Sequence, residues 1–196
     1  STGEVAKVGE FHDGSGAPIT YFIDIAIDLN GRMMGGTFDG LYEIDPTTAQ
    51  VELRCTTDVD MRALTFTAGG ALVAGGVDEI NVIDVETCTV TRLLESSYFE
   101  TSGDLVGLPD GFLYWTVRGE EGDELVKLDP NTGMSAWVGV IGFEGLYGLG
   151  YHDGELFGLS ADGYIASIDP TSAAAQVWAY DQDLEWWGGT TNPVVW

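Results

Sequence analysis

Cations are scarce in this chain. Its 196 residues hold seven lysines and arginines against 32 aspartates and glutamates, a formal net charge of −25. Phosphate binding needs clustered Lys and Arg, so nucleic acid and anionic membrane are disfavoured as partners. The acidity runs through most loops and reads as a solvated surface; a saline habitat, cation binding and plain solubility each fit it. Histidine is almost absent too, with only His12 and His152. His152 stands in a hairpin turn and reads as a solvated turn residue. No apolar run approaches the ~20 residues that span a bilayer, so no membrane insertion is expected. The G-x-S-x-G, Walker, H-E-x-x-H, C-x-x-C and EF-type calcium patterns are all missing, and with them the local signatures of the commonest hydrolase, nucleotide and metal sites.

Glycine, by contrast, is plentiful at 28 residues, and it marks a repeat. Gly31, Gly70, Gly111 and Gly154 follow one another at steps of 39, 41 and 43 residues; Asp45, Asp84, Asp129 and Asp169 do so at 39, 45 and 40. Two independent anchors with one period near forty indicate a repeat architecture. Each unit reads as four short strands. The first is Asp24–Ile27, Ala63–Phe66, Asp104–Gly107 or Tyr147–Gly150. A turn ending in glycine follows, which supplies the positive φ a tight hairpin needs. The third strand ends in Ile-Asp or Leu-Asp, usually with Pro next, which cannot donate to a ladder. The fourth is Gln50–Cys55, Thr89–Leu94, Ser135–Val140 or Ala175–Tyr180.

Four antiparallel strands per forty residues describe a β-propeller blade, which must stack on neighbours to bury both faces. Small residues on the first strands (Ala26, Ala63, Gly107, Gly148, Gly150) suit a crowded centre. The fold expected is all-β, one domain over 1–196, with repeats at about 19–57, 58–97, 98–141 and 142–182 and closing segments 1–18 and 183–196. Trp187–Thr190 matches a first-strand slot and Val194–Trp196 could begin a second strand. The first expectation is therefore four full blades plus a reduced fifth, closed by an N-terminal strand Val5–Phe11. A four-bladed ring, a fragment completed by oligomerisation and a two-sheet sandwich are the alternatives; oligomeric state is open. In the third unit, Arg118–Glu124 reads as an acidic, solvated loop.

Two cysteines permit one disulfide. Cys55 falls near the end of a fourth strand and Cys88 in the turn before the next one. Counted along flat strands at ~3.3 Å per residue, they lie ~15–20 Å apart, too far to bond. An extracytoplasmic setting would favour pairing, so the bond is left open.

The units Gly40-Leu41-Tyr42-Glu43-Ile44-Asp45-Pro46, Leu128 to Gly133, Asp153 to Gly158 and Ile168 to Thr171 resemble bacterial propellers of the YVTN or quinoprotein-like (WD40-like) type. The second repeat departs from them, with Val85 where Pro is expected. The resemblance implies a secreted, periplasmic or cell-surface location and carries no catalytic residues.

Two sets of side chains are candidates for function. Asp24 and Asp104 share the slot at the start of the first strand, near the axis. They could hold Ca²⁺, or serve as the paired acids of a glycosidase-like hydrolase or lyase, or cap local backbone N–H groups. The matching slots hold Ala63 and Tyr147, so a metal ring would be incomplete. The second set lies in the segments between one unit and the next, all expected on one face: Tyr21, Arg62, Tyr98, Glu100, Phe143, Glu144, Tyr147, Trp186 and Trp187. Aromatic faces beside carboxylates can stack on sugars or hold cations. These residues define a candidate surface for a glycan, peptide or protein partner. The non-enzymatic reading is preferred, with the axial carboxylates as the alternative.

Overall fold

Period-two alternation and turn glycines produce sixteen strands among residues 6–195, the part of the chain that the computed structural model describes. They form four antiparallel four-stranded sheets, each in simple sequential order. Blade one is β1 (Asp24–Ile27), β2 (Met33–Gly36), β3 (Gly40–Ile44) and β4 (Val51–Thr56). Blade two is β5 (Ala63–Phe66), β6 (Leu72–Gly75), β7 (Glu79–Ile83) and β8 (Val90–Glu95). Blade three is β9 (Thr101–Gly107), β10 (Leu113–Gly119), β11 (Gly122–Leu128) and β12 (Ser135–Val140). Blade four is β13 (Leu146–His152), β14 (Glu155–Ser160), β15 (Tyr164–Ile168) and β16 (Ala175–Tyr180). The protein is a four-bladed β-propeller, as the alternative reading had it.

The repeated aspartate is a turn former. Asp45, Asp84, Asp129 and Asp169 each accept a hydrogen bond on Oδ1 from the backbone N–H two residues on, at 2.7–2.9 Å. Four residues on, the chain turns left-handed at Ala49, Cys88, Gly133 and Ala173. Only Gly133 adopts that conformation without steric cost; at the other three the Asx turn holds the backbone in place.

The core lies between blades, in three layers. Met34, Leu41 and Met61 pack on Leu64 and Leu72 between blades one and two. Val73 and Ile80 meet Leu105, Trp115 and Val126 between two and three. Leu125 meets Leu146, Leu149 and Leu156 between three and four. The expected small residues permit the inner strands to approach. A Cβ on Gly107 would stand 2.2 Å from the Phe66 carbonyl oxygen, and one on Gly103 1.8 Å from that of Leu146.

Four expectations are corrected. No fifth blade forms among the described residues. Residues 187–191 run along the inner gap between β13 and β1 but join no ladder, and Pro193–Val195 is a 3-10 turn. Pro193 has no N–H to give a strand. Val5 and Trp196 lie outside the described residues, but residues 6–11 are not a strand. They do not close the ring either. The chain passes along blade one instead, where His12 bridges Gln50 and Phe11 packs 4.3 Å from Phe22, which in turn meets Tyr42 at 5.4 Å. Full burial of such a ring is worth ~1.5–3 kcal/mol, about as much as two edge hydrogen bonds at ~0.5–1.5 kcal/mol each, and three half-buried rings gather here.

Cys55 and Cys88 form a disulfide, with their Cα atoms 5.8 Å apart. The flat-strand distance failed because sheets twist. The end of β4 comes to lie against the turn between β7 and β8, so both cysteines pack on the same interblade core. Lastly, Arg118–Glu124 is not a loose loop. β10 and β11 pair out to Gly119 and Gly122, leaving Glu120-Glu121 as a two-residue turn. Asp123 is buried there.

Candidate functional site at the axis and its loop face

The inner strands of a propeller are not laddered to one another, so the N–H groups on their facing edges need other acceptors. Short polar side chains supply them around the ring. The Leu64 N–H of blade two donates to Asp24 Oδ2 of blade one at 2.6 Å. Gly107 N–H of blade three donates to Thr65 Oγ1 of blade two at 2.9 Å. Leu149 N–H of blade four donates to Asp104 Oδ2 of blade three at 2.5 Å. The C-terminal segment completes the circuit: Tyr151 N–H donates to Thr191 Oγ1 at 2.7 Å, and Gly189 N–H to Asp24 Oδ1 at 3.2 Å. The gap between blade four and blade one is thus closed by side-chain acceptors and an extended segment.

Asp24 and Asp104 face each other inside this circuit, 2% and 0% exposed, close enough that each governs the other's protonation. Burial pushes Asp24 up to about 7, against the pull of the backbone N–H donors. Burial, then the neighbouring charge of Asp24, pushes Asp104 up as well. Two carboxylates in contact away from water cannot both ionise, so the pair holds a proton at neutral pH. The fourth oxygen, Asp104 Oδ1, accepts from Leu105 N–H at 2.6 Å. All four oxygens therefore carry a backbone donor. Ca²⁺ takes six to eight oxygen ligands, and here it would have to displace the shared proton and compete with four N–H groups. The donor set does not fit that ion. Nor is there carboxylate surface to meet a substrate. The arrangement is that of a staple.

The loop-face candidates are brought together only in part. Tyr147 and Trp187 stack, with ring centroids 5.4 Å apart and planes at 20°. They remain 37% and 61% exposed. Trp187 Nε1 donates to Glu185 at 3.3 Å, which fixes the indole. The pair adjoins the staple along the chain: its next residues are Gly148 and Gly188, where an added Cβ would run into Gly188 and Asp24 respectively. Trp186 is half-buried, with its Nε1 unpartnered. Phe143 packs on the core between blades three and four, while Glu144 is exposed. Arg62 is held by Asp60 at 2.8 Å. Tyr98 stands almost fully exposed, and Tyr21 and Glu100 are exposed as well; among the described residues neither tyrosine ring stacks on the Tyr147–Trp187 pair.

Sequence reasoning missed Asp123, Thr65 and Thr191. Asp123 Oδ2 accepts from Leu146 N–H at 3.0 Å, and burial pushes its carboxyl upward. Thr65 could have been found: it lies two residues beyond Ala63, on the same side of the strand, where Ala63 lacks the acceptor that Asp24 and Asp104 have. Thr191 lies in a segment with no repeat partner and gave no such signal. Among the described residues no three His, Cys, Asp or Glu side chains converge as a metal cluster.

No family model matches the sequence, and no curated protein matches it. Solved structures do share the fold. A gluconolactonase, XC5397 from Xanthomonas campestris, is similar with a TM-score of 0.66 and 13% identity, over 89% of this chain and 67% of that one. A chain from a nidogen/laminin complex is similar with a TM-score of 0.63 and 15% identity, over 84% and 65%. A puromycin hydrolase matches with a TM-score of 0.53 and 13% identity, over 82% of this chain and 29% of its own. This chain therefore spans about two thirds of the first two and under a third of the last. Such identities establish a common fold and nothing finer.

Proposed function

We propose that this propeller is a non-catalytic recognition module that binds a glycan or protein partner through the loop face at the head of β13. One observation carries the reading: the Tyr147–Trp187 pair is stacked and exposed, while Asp24 and Asp104 on the axis are buried. An indole fixed by Glu185 offers a flat apolar surface beside a carboxylate, the combination that suits stacking on a sugar ring with hydroxyls bonded at its edge. Glu144, three residues before Tyr147, supplies a second exposed carboxylate. One structural neighbour comes from a nidogen/laminin complex, which agrees with protein recognition by this scaffold. The disulfide supports an extracytoplasmic location, since such bonds persist in oxidising compartments.

The hydrolase alternative draws on the proton shared by Asp24 and Asp104, but burial withholds that pair from any substrate. Glycan-array screening of the intact protein tests the main reading. Trp187→Ala and Tyr147→Ala should each abolish the signal while leaving the circular dichroism spectrum unchanged. Binding that survives both substitutions, or a hydrolytic activity lost in Asp104→Asn, would overturn it.

A further inference from the structure

Blade four is built to be covered on both sides and, among the described residues, is fully covered on one. Three residues past each hairpin glycine stand Met34, Val73, Tyr114 and Phe157. The first three are 0%, 0% and 3% exposed, each buried between blades, whereas Phe157 is partly exposed. Three residues before the end of each third strand stand Leu41, Ile80, Leu125 and Ile165. The first three are fully buried; Ile165 is not. Two independent positions therefore mark the far side of blade four as a blade-packing surface that, among the described residues, is met only along one edge, by the segment Gly189 to Asn192. On blade one, the corresponding outer side is capped by Phe11 and Phe22. Beside Phe157 and Ile165 lies Trp178, 47% exposed and edge-on to Phe157 at 5.6 Å. With Leu159 they wall a cleft of about 790 Å³, bounded on its other side by Thr190 to Asn192.

The charge of the cleft selects its occupant. Asp153 and Glu155 line it, are exposed, and enter no ion pair among the described residues. A second copy of this chain would bring another −25 charges to the contact, which opposes self-association. An aromatic and aliphatic wall with free carboxylates beside it is complementary to apolar side chains interspersed with cations. We propose that this side of blade four binds an extended polypeptide segment of a partner, apolar on one face and carrying Lys or Arg. The site is separate from the Tyr147–Trp187 pair and does not depend on it.

Fluorescence anisotropy on the full chain, with a labelled octapeptide of alternating Leu and Lys, tests this. Binding in the micromolar range is expected, with none for the Leu–Glu counterpart. Trp178→Ala and Glu155→Lys should each weaken binding at least ~10-fold. Glu120→Lys, on the β10–β11 turn, makes the same charge change elsewhere and should leave binding unaltered, as should Trp187→Ala. Equal weakening by Glu120→Lys would reduce the effect to overall charge and overturn the proposal. So would absence of binding, or a dimer in sedimentation equilibrium that Trp178→Ala dissociates, since a second copy would then occupy the cleft.

Discussion

Replacing both axial acids, Asp24→Asn with Asp104→Asn, should remove most of the pH dependence of stability between pH 5 and 8. An acid whose folded pKa is raised holds its proton more tightly in the native state, so its contribution is complete at low pH and is lost as pH rises through the folded value. For Asp24 the rise from 3.8 to about 7, at ~1.4 kcal/mol per pH unit, amounts to about 4 kcal/mol in all, of which about 3 kcal/mol is lost above pH 5. This is a large part of the ~5–15 kcal/mol that holds an ordinary domain. Few other groups titrate between pH 5 and 8, since the chain has only two histidines. The wild type should therefore be most stable in mild acid and weaken toward pH 8, despite its acidic surface. The doubly substituted protein has no charge to bury. It can present only one acceptor per amide, leaving one backbone N–H unpaired at each position, at a cost of ~1–3 kcal/mol apiece. It should be less stable than wild type at pH 5, with the gap closing or reversing by pH 8. Urea unfolding at half-unit pH steps measures both curves. A wild-type stability that climbs from pH 5 to 8, or equal slopes in the two proteins, would refute the shared-proton staple.

Reduction of Cys55–Cys88, which closes a 33-residue separation, should lower stability by about 4 kcal/mol through loop entropy; urea midpoints with and without reductant check this, and two free thiols in the untreated protein would contradict it. Gly103→Ala must displace the Leu146 carbonyl and should cost at least ~3 kcal/mol, whereas Gly150→Ala meets only an ordinary contact at 3.6 Å and should cost under ~1 kcal/mol; thermal melts of the pair decide. Trp187→Ala removes an exposed ring and should change stability by less than ~1 kcal/mol, so that its loss of ligand binding can be read without a folding defect.

Much of the blade was legible in the residues. The glycine and aspartate anchors, the apolar alternation and the Pro after Asp45, Asp129 and Asp169 are local instructions, each acting within a few positions. The observed strands accordingly match the expected ones to within a residue or two in most cases. The pairing of Asp24 with Asp104 was half legible: their common slot was visible, but their mutual contact depends on two blades facing each other across the axis. The disulfide was left open, and the separation of Cys55 and Cys88 overestimated, because strand twist, which a linear count omits, determines where the end of β4 goes. The closure was misjudged for a related reason. Phe11 and Phe22 could bury against blade one without joining the C-terminal segment, and nothing in their own sequence states which surface they will meet.

The sequence by itself determined the unit: a four-stranded blade, its turns, and the need for neighbours on both of its faces. The tertiary structure alone decided how many units stand in the ring and what fills the seam. It also decided which carboxylates lie buried in contact and which side of blade four stays open. The division follows from range. Hairpins are specified by residues a few positions apart, whereas ring closure sums small rotations over the whole chain and settles on whatever buries the most apolar surface while leaving no inner N–H without an acceptor.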